Sequence, residues 1–304
     1  MNNSRVLIVG SNGYLGSHLA SKLLELRYDI ILADVGSESV IPNTNYTQID
    51  FTNRTDISAV LDDIDFIYFF AGRTGNSMEG FDCADSFIER NEITLVNLLN
   101  SIRGLDKKPK IIFPSSRLVY SGNKKDPINE QSELSPKSIY GINKLACEKF
   151  IRLFHRNFNI PYSIFRISLP YGNFVHQNHV SYGVMSFLLN RAENGHTLKI
   201  YGDGNQIGSF IHIHDLVELL IIGGMNDKTD NDTFNIGGPD HLPMADVIKA
   251  IAKLFNVQVE KVPWPQISKN TDSGNLIIDT SKLLKLLDYK YKFTFEKWLK
   301  TIEH

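Results

Sequence analysis

The stretch from Arg5 to Asp34 constrains the fold more than any other part of the chain. Arg5-Val-Leu-Ile-Val9 is short, β-branched and bounded by glycine, the pattern of a buried parallel strand. Gly10-Ser-Asn-Gly13-Tyr-Leu-Gly16 follows, then a helical pattern from Ser17 to Leu26 and a second strand, Asp29 to Asp34, ending on a carboxylate. A glycine-rich fragment alone is a weak signal. Strand, glycine loop, helix, strand and terminal acid in this order form a dinucleotide-binding unit. Gly10, Gly13 and Gly16 let the backbone approach a pyrophosphate, and the helix N-terminus offers it free N–H groups. Asp34 suits a ribose hydroxyl and repels a 2′-phosphate. Because Val35 and not arginine follows it, NAD is expected in preference to NADP.

Strands and helices keep alternating. Tyr46 to Asp50 reads as a third strand, Arg54 to Leu61 as a helix, and Phe66 to Ala71 as a fourth strand with Gly72 and Arg73 beyond it. Asp50 and Phe51, just past a strand end, could border an adenine pocket; equally, Asp50 could cap the next turn. A helix from Phe87 to Ile102 carries Asn91, and Lys110 to Phe113 is a strand running into Pro114-Ser-Ser-Arg-Leu-Val-Tyr120. The expected fold class is α/β: a doubly wound parallel (Rossmann) sheet over residues 1–165, followed by a smaller C-terminal α/β substrate lobe over 166–304. That boundary is approximate, with later segments returning to the sheet. Ligands gather at the carboxyl ends of such strands, where Gly72, Ser115 and Ser116 fall.

Ser135-Pro136 reads as a helix start, with helix formers continuing to about Asn157. Tyr140 and Lys144 then lie one turn apart on one face. A phenol titrates near pH 10, and an ammonium held beside it favours the phenolate, so the pair can act as a general acid or base. Tyr120 and Lys124 have the same spacing but sit in turn chemistry, Tyr-Ser-Gly-Asn-Lys-Lys-Asp-Pro, and read as a coincidence of a loop.

Composition excludes several classes. A net charge of −2 gives no electrostatic reason to expect nucleic acid or an anionic membrane as partner. Two cysteines suggest no disulfide framework, and no apolar run is long enough for a signal peptide or a membrane span. A soluble cytoplasmic protein is expected. His176 and His179 lie in a loop, while His212 and His214 alternate along a strand and face one side; a metal site needs more convergent ligands, so none is expected. Helices are expected at Met185–Asn194, Met244–Phe255 and Ser281–Leu287.

With these residues in view, the chain resembles the extended short-chain dehydrogenase/reductases, the nucleotide-sugar epimerase/dehydratase family, over nearly its whole length. The resemblance rests on Gly10-x-x-Gly13-x-x-Gly16, on Ser115-Ser116-x-x-Val119-Tyr120, and on Tyr140-x-x-x-Lys144. Arg166-x-x-x-x-Tyr171-Gly172, Tyr201-Gly-Asp-Gly-Asn-Gln206, Phe210-Ile-His-Ile-His-Asp215, Phe234-Asn-Ile-Gly-Gly238 and Asp279-Thr-Ser-Lys282 follow in the family's order. It implies that Ser116, Tyr140 and Lys144 are catalytic. The cofactor residues it implies are Gly10, Gly13, Tyr14, Leu15, Gly16, Asp34, Asp50, Phe51, Ala71, Gly72, Arg73, Asn91 and Ser115, together with Tyr140 and Lys144.

The departures bear on substrate. Where family members that eliminate water keep acids after the catalytic serine, this chain has Arg117 and Leu118. The family's asparagine three residues after Arg166 is Leu169, and its arginine two residues after Gln206 is Gly208, so two contacts to a nucleotide diphosphate are missing. Arg73, Arg117 or Arg191 could replace them; Arg117, Leu169, His176 and Gln206 are the candidate substrate residues. The implied function is an NAD-dependent nucleotide-sugar 4-epimerase acting as a homodimer. A nucleotide-4-keto-sugar reductase and a non-catalytic NAD-binding regulator are the alternatives.

Overall fold

A parallel strand covered on both faces must be apolar throughout. Val6, Leu7, Ile8 and Val9 meet that demand and are fully buried. A computed structural model describes residues 4–74, 77–122, 127–172 and 183–302. The first half runs β1 (Arg5–Val9), α1 (Tyr14–Glu25), β2 (Asp29–Asp34), β3 (Tyr46–Gln48), β4 (Phe66–Phe69), α2 (Ser77–Asp82), α3 (Ala84–Ile88), α4 (Thr94–Ile102), β5 (Lys110–Ser116), α5 (Ile139–Phe158) and β6 (Tyr162–Ile167). Then come β7 (Leu169–Tyr171), α6 (Gly183–Glu193), β8 (Leu198–Tyr201), β9 (Ile207–His212), α7 (Ile213–Gly224), β10 (Asp232–Ile236) and β11 (Asp240–Pro243). The chain closes with α8 (Met244–Leu254), β12 (Val259–Val262), α9 (Gln266–Thr271), α10 (Ser281–Leu287) and α11 (Phe295–Ile302).

Among the described residues β10-β6-β5-β4-β1-β2-β3 form one parallel sheet, a doubly wound Rossmann fold. Strand order reverses between β1 and β4, which places the ligand crevice at their carboxyl ends. Leu95, Leu98 and Ile102 of α4 with Cys147 and Ile151 of α5 cover one face. Leu19 and Leu23 of α1, Leu216 and Leu220 of α7, and Leu283 of α10 cover the other. A third core joins α6, α8 and α11 to two small sheets, β11-β9-β7 and β12-β8.

The sheet is not confined to the first 165 residues. β6 runs on to Ile167, and β10 and α7 return to the sheet from the second half, so the smaller lobe is a discontinuous insertion. Between Arg54 and Leu61 only a 3-10 turn, Ile57–Val60, forms in place of the expected helix. The side chains of Asp50 and Asn53 accept hydrogen bonds from the backbone of Thr52 and Thr55, and such local bonds compete with a helix. The helix expected over 87–102 is interrupted by a π-helical turn, Glu89–Ile93. α5 starts at Ile139 and not near Ser135, because Ser138 is the cap: its Oγ accepts from Gly141 N at 3.1 Å. Asn159, left-handed at φ 56°, ends it.

Candidate functional site

β5 is buried along its whole length and delivers Ser115 and Ser116 to the end of the sheet. There Ser116 caps a 3-10 turn, Arg117–Val119, its Oγ accepting from Leu118 N at 3.2 Å. This turn abuts the start of α5: a Cβ on Gly141 would stand 2.5 Å from the Leu118 carbonyl oxygen. Gly141 therefore allows the helix carrying Tyr140 to reach the turn carrying Ser116. A glycine directly after Tyr140, costly inside a helix, was the available sequence signal.

Tyr140 and Lys144 share a face, with the Lys144 Nζ 5.7 Å from the Tyr140 ring centre. Lys144 is buried, donates to the Pro114 carbonyl at 2.9 Å and lies 4.7 Å above the Phe113 ring. Burial pushes its ammonium down to about 8, with Cys147 and Glu148 acting in the opposite direction. Glu148, one turn further along the helix, makes no ion pair with Lys144 because it is engaged elsewhere.

Glu148 is completely buried and accepts from four groups: Ser115 Oγ at 2.6 Å, Arg166 Nε at 2.9 Å, Arg166 Nη2 at 2.7 Å and Arg152 Nη2 at 3.2 Å. Burial works to raise its pKa, but Arg166, Ser115 and Arg152 hold the carboxyl below the usual range. Arg166 also donates to Tyr120 Oη at 2.9 Å, and that hydroxyl donates to Asn235 Oδ1 at 2.7 Å. Tyr120 is a buried member of this network; Lys124, with which it shares a four-residue spacing, lies outside the described residues. The Ser115 hydroxyl is committed to the same network.

At the crevice, Gly10 has φ +81°, and a Cβ there would stand 2.5 Å from Ala71 N, so the glycine loop touches the exit of β4. A Cβ on Gly16 would collide with the Gly10 carbonyl. Gly13 caps α1 without a side-chain hydrogen bond, which leaves N–H groups of the first turn for a ligand. Asp34 braces the loop, accepting from Asn12 N at 2.9 Å and Val35 N at 2.8 Å. Tyr14 packs edge-on to His18, and Leu15 against the core below.

Asn91, in the π turn, donates to the Arg73 and Phe87 carbonyls, and its Oδ1 would be struck by a Cβ on Gly72. That Oδ1 and Ser11 Oγ, on either side of the crevice mouth, are buried and have no partner among the described residues. Glycine cradle, open helix N-terminus, Asp34 and two orphaned polar atoms together suit a dinucleotide. Arg73 donates to Ser86 Oγ at 3.0 Å and stacks on Phe87. Asp50 both caps its turn through Thr52 and pairs with Arg90 at 3.1 Å, while Phe51 is buried in the core.

A cleft of about 510 Å³ separates this wall from the smaller lobe; Arg117, Leu118, Tyr140, Leu169, Gln206 and Trp264 are among its lining residues. The two departures from the family pattern touch: a Cβ on Gly208 would stand 2.5 Å from Leu169 Cδ1. Gln206 is half-buried, and its carbonyl accepts from Met244 N at 3.0 Å. Arg191 donates to the Thr197 carbonyl at 3.1 Å. His176 and the loop around it lie outside the described residues.

His212 and His214 do not alternate along a strand. β9 ends at His212, whose Nδ1 caps α7, and His214 is in the first turn of that helix, the two rings stacking with centroids 5.2 Å apart. Burial, then His214 and His18, lower His212 to about 4. No group of three or more metal-ligating side chains occurs among the described residues. No helix among them is long and apolar enough to cross a membrane.

Residues 6–237 match the model of the NAD dependent epimerase/dehydratase family. A putative UDP-glucose 4-epimerase of Methanocaldococcus jannaschii is 30% identical, the match covering 76% of each chain. UDP-glucuronic acid decarboxylase 3 of Arabidopsis thaliana is 26% identical across 99% of this chain and 88% of its own length. Among solved structures, the UDP-glucose 4-epimerase of Thermus thermophilus in complex with NAD superposes with a TM-score of 0.86 at 19% identity, covering 99% of this chain and 98% of that one. Relatives of differing chemistry share one cofactor fold, and by the extent of the family match this chain belongs to the NAD-dependent epimerase/dehydratase family and is an NAD-dependent, sugar-modifying enzyme.

Proposed function

We propose that the protein is a nucleotide-sugar 4-epimerase in which Ser116, Tyr140 and Lys144 carry out the chemistry. The observation that carries this reading is the single wall formed by the Ser116 turn and the first turn of α5, held together at Gly141 and facing the cleft. Tyr140 takes the proton of the sugar C4 hydroxyl and later returns it. Lys144 supplies the cation a tyrosinate needs beside it, its ammonium fixed by the Pro114 carbonyl. Ser116 donates to the same sugar oxygen. Bound NAD would supply the hydride chemistry. Gly10, Gly13 and Gly16 would cradle its pyrophosphate, Asp34 would hold the adenine-side ribose, and Asn91 Oδ1 and Ser11 Oγ would find partners on it.

Arg117 and Leu118 follow Ser116 where elimination needs acids, which disfavours a dehydratase. The second reading, a 4-keto-sugar reductase, rests on the same wall but requires external reduced cofactor. Incubating the protein with UDP-, dTDP-, CDP- and GDP-sugars without added cofactor should yield a new epimer. Silence there, with cofactor-dependent reduction of a 4-keto sugar, transfers the assignment to the reductase. Asp34→Ala should narrow the preference for NAD over NADP in a binding titration; a wild type that bound NADP more tightly would remove that support.

The same reading makes the enzyme a cytoplasmic homodimer. Ile88 and Ile93, on the segment leading into α4, and Ile142 and Leu153 of α5 are exposed, which suits pairing of these helices between two copies. Sedimentation as a monomer at micromolar concentration contradicts it.

A further inference from the structure

An arginine removed from water normally finds acceptors for its five donors, because a desolvated and unpaired cation is costly. Among the described residues this holds with one exception. Every other arginine that is buried or half-buried donates at least one hydrogen bond to a described residue: Arg5, Arg73, Arg90, Arg152, Arg166 and Arg191. Arg117 is the exception. It is half-buried, lines the cleft beside Tyr140, and its guanidinium has no hydrogen bond or ion pair with a described residue. Burial lowers it to about 10, and the only opposing influence is the more distant charge of Asp272. Asp272 is the one carboxylate among the cleft's described lining residues, and it accepts instead from Gly274 N at 2.8 Å.

We propose that Arg117 is a specificity-determining residue that binds a carboxylate carried by the sugar ring, so that the substrates are nucleotide-linked uronic acids. This deepens the epimerase reading and rests on it. The position discriminates between the two anions such a substrate carries. Arg117 follows Ser116 directly, on the turn that meets the first turn of α5, so its base belongs to the catalytic wall. The other cations among the cleft's described residues, Arg191 on α6 and Lys199 on β8, belong to the opposite lobe and are left for the diphosphate. Leu118 and Leu169 flank the cleft with apolar surface, which strengthens a charge-assisted bond. A guanidinium can hold a carboxylate through two parallel N–H···O bonds, a geometry a neutral hydroxymethyl group cannot use.

The test compares dissociation constants of NAD-loaded enzyme for UDP-glucuronic acid and UDP-glucose, for the wild type, Arg117→Met and Arg117→Lys. Binding is read by calorimetry, so the result stands whether or not either compound is epimerised; absence of turnover with both donors counts against the epimerase reading alone. The wild type should bind the uronate more tightly. Arg117→Met should reduce the ratio of the two constants by roughly 10- to 100-fold, the range for hydrogen bonds to a charged group. Arg117→Lys should restore part of it. The unfolding midpoint of Arg117→Met should be no lower than that of the wild type, since a structural arginine would lower it. A parallel loss for both donors, which assigns Arg117 to the diphosphate, overturns the proposal, as does a wild type with no preference for the uronate.

Discussion

Two arginines at the end of β5 and β6 show opposite ways of treating a buried cation. Arg166 lies in the network behind Ser115, its guanidinium shared among Glu148, Tyr120 and the Glu130 carbonyl. Burial opposes its charge, but Glu148 outweighs that and raises its pKa. Arg117, two residues from Ser115 in the chain, faces the cleft with no such partner among the described residues, and burial prevails. The physical difference is satisfaction. A fully paired ionic network rigidifies the ground on which Ser116 and Tyr140 stand, because Glu148 comes from the tyrosine helix and Ser115 from the serine strand. An unpaired cation in a cleft is a demand for a ligand.

The comparison breaks first at Glu148. Glu148→Ala leaves Arg166 buried and uncompensated, so unfolding in denaturant should show a loss of about 3–5 kcal/mol. A loss below about 1 kcal/mol would mean the network is ornamental. On the cleft side, Tyr140→Phe should cost at least ~100-fold in turnover with cofactor still bound and the unfolding midpoint unchanged. Tyr120→Phe should do the reverse. It removes the hydroxyl between Arg166 and Asn235, so stability should fall by about 1–3 kcal/mol while turnover stays near that of the wild type. Two tyrosines behaving alike would erase the distinction between the regions.

A smaller effect probes the contact between Leu169 and Gly208. Gly208→Ala pushes a methyl into Leu169 and should destabilise by roughly 1–3 kcal/mol, as overpacking does. In a Leu169→Ala background the penalty should shrink, giving a coupling of about 0.5–3 kcal/mol in a double-mutant cycle. Additive effects would mean that the two departures from the family pattern are independent.

A final effect is a pH slope. Lys144 titrates at about 8 in the folded chain against 10.5 for an ordinary lysine, with burial as the cause. Between these values the unfolded state holds more protons, so stability rises with pH across that window and the penalty is fully present below it. The unfolding midpoint of the wild type, measured against Lys144→Met, should therefore climb from pH 8 to 10.5 and stay level below pH 8. A level difference throughout would place the ammonium in water.

What the sequence determined by itself is local. The glycine loop must approach backbone, strands covered on both faces must be apolar, and Tyr140 and Lys144 share a helix face whatever surrounds them. Each of these depends on residues within one or two turns of one another, so spacing and residue type suffice. The tertiary structure decided the rest. It made Tyr120 a buried link to Asn235, paired Glu148 with Arg166, and set Leu169 against Gly208. It moved the start of α5 to Ser138, where the Leu118 turn requires Gly141, and returned β10 to the edge of the first sheet. The same hydroxyl, carboxylate or guanidinium can be satisfied by many partners, and residue type carries no address for the one it meets. Only packing the two lobes and the return strand together left Arg166 satisfied and Arg117 exposed to the cleft without a hydrogen-bond partner among the described residues.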